Sequence, residues 1–324
     1  MILQNKFSLI LSIISLLSFI SNAQAEIKVV ASIKPLHSLV SYVMDGVGTP
    51  DILVDGSSSP HTFQLKPSHA TILQESDIVF WIGEGLEAFL ETPLDSIAKN
   101  SKKIAVMEAE EIELLKFREK NIFDDHDEHD EHADEHGDEH DEHGDEHDGH
   151  DDHEHAHGEH DIHFWLDPEI AKTIVKIITR ELSEIDPANA PSYESNSIKA
   201  LNKIDQLISK TKGKINSDAK YVVFHDAYQY FEKRFGIEVV GALTVNPEVL
   251  PGAKQLSEIR EVIEHENVNC LFSEPQFNPG IAEMIAKDTG VRAAILDPLG
   301  AELEPGKDLY FDLIGDMASS FERC

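Results

Sequence analysis

Residues 27–44 read IKVVASIKPLHSLVSYVM, an apolar run that passes directly into an amphipathic pattern of helical spacing. The segment IKVVAS predicts a buried strand, and Pro35 and Leu36 begin a helix that runs toward Met44. A buried strand followed at once by a helix is the repeating unit of a parallel α/β sheet, since parallel strands need a crossover connection. This stretch therefore predicts an α/β fold.

The same alternation continues along the chain on both sides of an acidic interruption. Strands are predicted at 51–56, 78–83, 103–108, 221–225, 237–243, 270–274 and 291–298. Helices are predicted at 68–77, 85–99, 167–185, 226–236, 254–267, 280–290 and 308–322. The strands are short apolar runs, which indicates mostly parallel sheets that are flanked by helices.

A longer helix is predicted at 191–215. Apolar residues recur there at helical spacing, and neither Gly nor Pro occurs between Ser192 and Lys212. We interpret this helix as a rigid connector between two small α/β lobes. The predicted organisation is a signal peptide at 1–25, an N-terminal lobe at 26–186, a linker helix at 187–214 and a C-terminal lobe at 215–324.

The first 25 residues have the composition of a secretory signal peptide. Lys6 supplies a short positive region, and residues 7–20 form an apolar segment that is too short to span a membrane. Ala23-Gln24-Ala25 is a small-x-small cleavage site, so the exported chain is expected to begin at Glu26 without a stable membrane anchor.

Residues 124–160 form a tract that is almost purely Asp, Glu and His, with 19 of the 61 acids and 12 of the 18 histidines of the chain. The tract has no Lys or Arg and almost no apolar residue, so we expect it to be disordered when empty. A solvated acidic spacer would need no histidine, whereas imidazole and carboxylate together favour a divalent cation such as Zn²⁺. The predicted auxiliary metal ligands are His126, His129, His132, His136, His140, His143, His147, His150, His153, His155, His157 and His160.

The formal net charge of the chain is −34, and the residues outside the tract still carry about −15. This balance opposes binding to nucleic acid or to anionic lipid, and it favours cationic ligands.

Only two cysteines occur, Cys270 and Cys324. In an exported protein an even pair predicts one disulfide, and the alternative is two unrelated thiols.

Three histidines outside the tract stand at predicted strand ends or loops. His61 follows a strand, His163 precedes a helix, and His225 ends the strand YVVFH. Asp297 also ends a strand, and ligand sites in open α/β sheets form at the carboxyl ends of strands. These four side chains could therefore converge on one tetrahedral Zn²⁺. The remaining histidines of the lobes are interpreted as structural or surface residues: His37, His69 and His265.

Five motifs appear in the order typical of one known family. They are SPHTFQLKPSHATILQESDIVFWIGEGLE, IHFWLDP, FHDAYQYFEKRFG, EPQFNP and LDPLG. With them, nearly the whole mature chain resembles the metal-binding solute-binding proteins of ABC transporters, and within these the zinc-specific ZnuA type with an acidic, His-rich loop. The resemblance implies two α/β lobes joined by a long helix, with the metal buried between them.

The resemblance also assigns ligand roles to His61, His163 and His225. Manganese-type relatives have Glu at the position of His225, so the histidine favours zinc. Some zinc-type members place Glu immediately before the first ligand, where this chain has Pro60. The fourth ligand is thus Asp297 or water. The two cysteines match a disulfide of zinc-type relatives.

We therefore expect a monomeric periplasmic protein that captures Zn²⁺ and delivers it to an inner-membrane ABC permease and its ATPase, without being an enzyme. Three alternatives remain from the sequence. A secreted zinc hydrolase could use the same histidines with Asp297 or Glu274 as general base. A manganese-type solute-binding protein would share the fold, and a plain metal buffer would need only the tract.

Overall fold

The computed structural model describes residues 26–118, 120–122, 159–216, 218–247 and 249–324, and these ranges contain two four-stranded sheets. The first sheet is built from β1 (Val29–Ile33), β2 (Asp51–Val54), β3 (Ile78–Trp81) and β4 (Lys102–Ala105). The second is built from β5 (Lys220–His225), β6 (Glu238–Thr244), β7 (Cys270–Ser273) and β8 (Arg292–Ile295). The strand orders are β2-β1-β3-β4 and β6-β5-β7-β8, and all neighbours are parallel. The predicted α/β fold is confirmed.

The helices follow the predicted alternation. They are α1 (Lys34–Val43), α2 (Pro67–Glu75), α3 (Glu91–Ser96), α4 (Pro168–Ile185), α5 (Ala190–Lys212), α6 (Gln229–Phe235), α7 (Ala253–His265), α8 (Gly280–Thr289) and α9 (Leu309–Arg323).

Local sequence explains where several of these helices begin and end. The first turns of α1, α2 and α4 contain proline, whose missing N–H costs nothing there. The side chain of Asp167 caps α4 by accepting from the N–H of Glu169 at 2.8 Å. Helices α6 and α8 end at Gly236 and Gly290, which have φ of 71° and 77°.

The helix predicted at 85–99 is wrong over its first half. Only a short 3-10 turn at Ala88–Leu90 and the six residues of α3 are helical there. Pro93 explains the break, because its ring clashes with the carbonyl of the residue four positions earlier in a continuous helix. The helix can begin only within one turn before the proline, at Glu91.

The long helix α5 lies among other helices. Its 23 residues span about 35 Å, and it packs against α1, α4 and the C-terminal helix α9. Helix α9 follows the second sheet but also packs against α1, where the N–H of Tyr310 donates to Ser38 Oγ at 2.9 Å. The two sheets are therefore linked by the α1–α9 contact as well as by α5. The boundaries of the predicted lobes stay a prediction.

Cys270 at the start of β7 and Cys324 after α9 form a disulfide, as predicted. The predicted signal peptide and all tract residues except Glu159 and His160 lie outside the described residues. Within the described ranges, no helix is both long enough and apolar enough to cross a membrane.

Candidate metal centre

Three histidines meet where the two sheets face each other. His225 is the last residue of β5, and His61 lies in a 3-10 turn that follows β2. His163 stands directly before the 3-10 turn Phe164–Leu166, which leads into α4. The carboxyl ends of parallel strands lie at one edge of a sheet, so both sheets direct their loops toward the same cleft. We call this group the three-histidine site.

The geometry of the three-histidine site is compact. One ring nitrogen from each histidine lies within 4.8 Å of the others, and the ring centroids are 5.2–5.7 Å apart. His163 and His225 are 4% and 3% exposed, and His61 is half-buried. The Nε2 atoms of His163 and His225 are 3.3 Å apart. Two nitrogens on one tetrahedral Zn²⁺, each about 2.05 Å from the ion, would also lie about 3.3 Å apart.

A buried carboxylate lies behind each of the two buried rings. His163 Nδ1 donates to Asp161 Oδ1 at 2.8 Å, and His225 Nδ1 donates to Glu274 Oε1 at 2.7 Å. Such a bond fixes the ring orientation and leaves Nε2 as the nitrogen with a free lone pair. Both Nε2 atoms therefore face the cleft as potential ligands.

Burial and charge move the pKa values of these groups apart. Burial and the neighbouring His225 hold the pKa of His163 well below its usual value. Burial also acts to lower the pKa of His225. The negative charges of Glu274, Asp226 and Asp161 have the opposite and larger combined effect, so the pKa of His225 is raised. Burial raises the pKa of Asp161 to about 7. One imidazole of the pair is thus held neutral while the other competes for a proton.

Apolar side chains form most of the wall around the site. They are Leu86, Trp165, Phe277, Pro298 and Leu299. Trp165 also holds Pro298 in place on the other side of the cavity, because its indole N–H donates to the carbonyl of Pro298 at 3.0 Å. Such walls limit water access and strengthen electrostatic interactions inside the cleft.

Asp297 is engaged elsewhere in the structure. Its Oδ1 accepts from Gln276 Nε2 and from the N–H groups of Leu299 and Gly300 at 2.9–3.0 Å, and its Oδ2 accepts from Ala301 N–H at 2.6 Å. The group of ligand atoms within 4.8 Å of one another does not include it. Its role as fourth ligand stays a prediction, and its contacts make it an organiser of the loop after β8.

A buried lysine holds the same loop from the other side. Lys34 Nζ donates to the carbonyls of Gly300, Ala301 and Leu303 at 2.9–3.1 Å and lies 3.4 Å from Asp55 Oδ1. Lys34 is the first residue of α1, so it ties the first sheet to the wall that the second sheet contributes.

Sequence reasoning did not assign the supporting residues. Asp161 and Gln276 were missed, and Glu274 appeared only as a possible general base. The available signal was topological: Glu274 directly follows β7, the neighbour of β5, so its side chain had to lie near His225. Asp161 precedes His163 by two residues in a D-x-H pattern.

The other three histidines have local partners or are exposed. His37 is buried and bonds through Nε2 to the carbonyl of Pro50 at 3.1 Å. His69 Nδ1 accepts from the N–H of Lys66, and its ring stacks on Phe63. His265 is exposed at the end of α7. These positions agree with their interpretation as structural or surface residues.

Two parallel α/β sheets that hold buried imidazoles between their carboxyl ends define the class of metal-binding solute-binding proteins. The chain belongs to the ZnuA family, described as zinc-uptake complex component A, periplasmic, whose sequence profile matches residues 29–324. This family consists of solute-binding proteins and not of enzymes, which excludes the hydrolase alternative.

Curated relatives agree with this family, and a solved structure agrees with the fold. The chain is 44% identical over 303 residues to the high-affinity zinc uptake system protein ZnuA of Brucella abortus, covering 91% of each chain. It is 34% identical over 307 residues to the protein of the same description from Yersinia pestis, covering 93% of this chain and 92% of that one. The crystal structure of a ZnuA deletion mutant with zinc bound matches the fold with a TM-score of 0.71 at 22% identity, covering 91% and 96% of the two chains.

Proposed function

We propose that this protein captures Zn²⁺ in the periplasm with one ring nitrogen each from His61, His163 and His225. It then delivers the ion to an inner-membrane ABC permease and its ATPase for import. Zinc is the cargo, and the protein acts as a monomer exported by its signal peptide. The descriptions of the relatives from Brucella abortus and Yersinia pestis, as components of high-affinity zinc uptake, support this proposal.

The 3.3 Å separation of the Nε2 atoms of His163 and His225 carries the proposal. Both nitrogens are unprotonated when their Nδ1 atoms donate to Asp161 and Glu274. Two lone pairs at this distance repel each other unless a cation or proton lies between them. A tetrahedral ion with nitrogen ligands satisfies both, and His61 supplies the third nitrogen.

The ligand chemistry favours zinc over manganese. Mn²⁺ prefers carboxylate, carbonyl and water oxygens, whereas three imidazoles suit Zn²⁺. The described residues place no carboxylate in the three-histidine site, since the nearest acids stand behind the rings as hydrogen-bond acceptors. The site therefore supports a zinc carrier rather than a manganese-type relative.

The position of His160 supports a role for the tract in loading the site. The chain enters and leaves the tract through an antiparallel pair, in which Phe117 N–H donates to the carbonyl of Glu159 at 3.0 Å. His160, the last tract residue, lines a pocket together with His61 and His163. Zinc bound weakly by the tract could therefore reach the cleft through His160.

The proposal is tested in cells that lack their own zinc-binding component. The full chain should restore growth in zinc-depleted medium, and the triple variant His61→Ala, His163→Ala, His225→Ala should not. The triple variant must be exported and folded to the same level, which protease resistance of the periplasmic fraction checks. Growth restored equally by the triple variant would refute the proposal.

A further inference from the structure

The side chain of Lys34 is a buried charge that belongs to no part of the three-histidine site. It is 4% exposed, and its Nζ lies 3.4 Å from Asp55 Oδ1. An ammonium group has three hydrogens, and burying it costs free energy unless these hydrogens find acceptors. Here they find three carbonyl oxygens at 2.9–3.1 Å, all in the loop after β8, at Gly300, Ala301 and Leu303. The match of three donors to three acceptors shows that this loop is held in one defined position.

The loop after β8, residues 297–303, is bound from both sheets. Three of its N–H groups donate to Asp297, which lies in the loop itself. Its carbonyls accept instead from residues that precede α5 in the chain. Lys34 at the start of α1 binds three of them, and the indole N–H of Trp165 donates to the carbonyl of Pro298 at 3.0 Å. The loop therefore belongs to the second sheet but is held against the elements of the first.

The same loop forms part of the wall around the zinc position. Pro298 and Leu299 line the cavity that the three histidines share, and Lys34 does not. The cavity has a volume of about 10 Å³, which is room for about one water molecule. A hydrated metal ion is larger, so part of the wall has to move before zinc enters or leaves. Movement of Pro298 and Leu299 away from the first sheet would break the hydrogen bonds of Lys34.

We propose that the ammonium of Lys34 holds the loop after β8 closed over the zinc position and thereby sets the rate of zinc exchange. Lys34 is a positioning residue, since it acts through the loop and does not touch the ion. It favours the closed position equally before and after zinc binds, so it should slow association and dissociation by a similar factor. The affinity, which is the ratio of the two rates, should change little. This inference rests on the proposed function and adds control of the exchange rate at the same site.

The test compares zinc exchange in the exported chain and in its Lys34→Met variant, whose side chain has a similar length but neither charge nor donor. One equivalent of zinc fills the tight site. Stopped-flow mixing with zinc measures association, and mixing the loaded protein with excess chelator measures dissociation. Both rate constants should rise at least about tenfold, from the loss of hydrogen bonds to a charged group, and the affinity should change by less than about threefold.

Two controls show whether the change is confined to the loop. Lys176→Met, the same exchange at an exposed position of α4, should alter neither rate constant. The visible spectrum of bound Co²⁺, which reports ligand geometry, should be the same in Lys34→Met and in the unchanged protein, because Lys34 does not line the cavity.

The outcomes separate this inference from the proposed function. If the unchanged protein binds no zinc tightly, the three-histidine site itself is in doubt. If it does, and Lys34→Met exchanges zinc at the same rates, the inference fails. A rise in the dissociation rate alone would also overturn it, because Lys34 would then act only on the zinc-bound state. Lys34→Gln, which keeps N–H donors but loses the charge, serves if the methionine variant does not fold; exchange as slow as in the unchanged protein would refute the role of the ammonium.

Discussion

The Nε2 atoms of His163 and His225 lie 3.3 Å apart in a buried cleft, although the Nδ1 atom of each ring is already bonded to a carboxylate. The site is therefore organised around a positive charge before any ion arrives. Either a proton or a zinc ion can lie between these two Nε2 atoms, so the two compete. Zinc affinity should accordingly fall as the pH drops through the histidine range, because the ligands must be deprotonated.

Removing one histidine from the three-histidine site should abolish tight zinc binding. His225→Ala eliminates one of three nitrogens and leaves Glu274 without its partner, so we expect a loss of affinity of at least about 100-fold, or about 3 kcal/mol. Competition with a chelating dye measures it. His265→Ala, an exposed histidine of α7, is the matched control and should bind as the unchanged protein does. Unchanged affinity in His225→Ala would show that this residue is not a ligand.

Exchanging an imidazole for a carboxylate should change the selectivity. In His225→Glu the hard oxygen ligand should weaken Zn²⁺ binding and strengthen Mn²⁺ binding, so that the ratio of the two affinities falls by roughly tenfold or more. The introduced acid would lie beside Glu274, which further favours a bound cation. Competition of Mn²⁺ against Zn²⁺ in a chain without residues 124–158 measures the ratio. An unchanged ratio of the two affinities would show that the imidazole of His225 does not cause the selectivity for zinc.

Deleting residues 124–158 should lower the zinc stoichiometry and preserve the tightest binding event. The paired backbone at Phe117 and Glu159 should still close the shortened connection, and no apolar residue of the described core is lost. Calorimetric titration of both chains gives the number of sites. Loss of the tight event would make the tract part of the primary site.

The variant His160→Ala of the full chain tests whether zinc passes from the tract to the three-histidine site through His160. The variant should load zinc more slowly at limiting concentration but reach the same final affinity, because His160 lines the adjacent pocket without belonging to the three-histidine site. Equal loading rates, measured by stopped-flow competition, would argue against transfer through His160.

Breaking the disulfide should destabilise the protein without abolishing zinc binding. Cys270 and Cys324 are 54 positions apart, and closing a loop of this size contributes up to about 4 kcal/mol in the chain-entropy model. The double variant Cys270→Ser, Cys324→Ser should therefore melt several degrees lower. Neither sulfur belongs to the three-histidine site, so one tight zinc should remain. Labelling of the unreduced protein should find no reactive thiol.

The buried side chain of Glu87 should make the stability of the folded protein depend on pH. Glu87 is fully buried and accepts from the N–H of Gly83 at 3.0 Å; burial raises its pKa to about 7, against the opposing effect of this hydrogen bond. Its protonation stabilises the folded state fully below pH 4.5, and this contribution is lost as the pH rises through 7. The loss is about 3 kcal/mol, at about 1.4 kcal/mol per pKa unit.

Glu87→Gln should consequently melt at a higher temperature than the unchanged protein at pH 8 and at a similar temperature at pH 4. The exposed Glu84→Gln in the same loop is the control and should change neither value. A gain of the same size at both pH values would mean that the effect of Glu87 does not come from its charge.

The local sequence carries most of the secondary structure. Buried parallel strands read as apolar runs, and the prolines and glycines at helix ends mark their boundaries, so all eight strands and most helices were predicted within a few residues. The helix predicted at 85–99 is shorter in the structure, because the ring of Pro93 interrupts any helix that begins more than one turn before it. Ile198 is one of the apolar residues that recur at helical spacing in α5, yet it is 62% exposed, since packing against α1, α4 and α9 selects a different face.

The sequence alone determined the fold class, the disulfide pair and the three candidate histidines, because strand ends, cysteine number and residue type are local properties. The tertiary structure decided how these side chains act together. It placed Asp161 and Glu274 behind the two buried rings and turned Asp297 toward backbone N–H groups instead of the histidines. It also left the side-chain oxygen of Gln276, a residue that lines the same cavity, without a hydrogen-bond partner among the described residues. The residues that meet in the cleft are far apart along the chain, and only the packing of two sheets across one cleft brings them within hydrogen-bond distance.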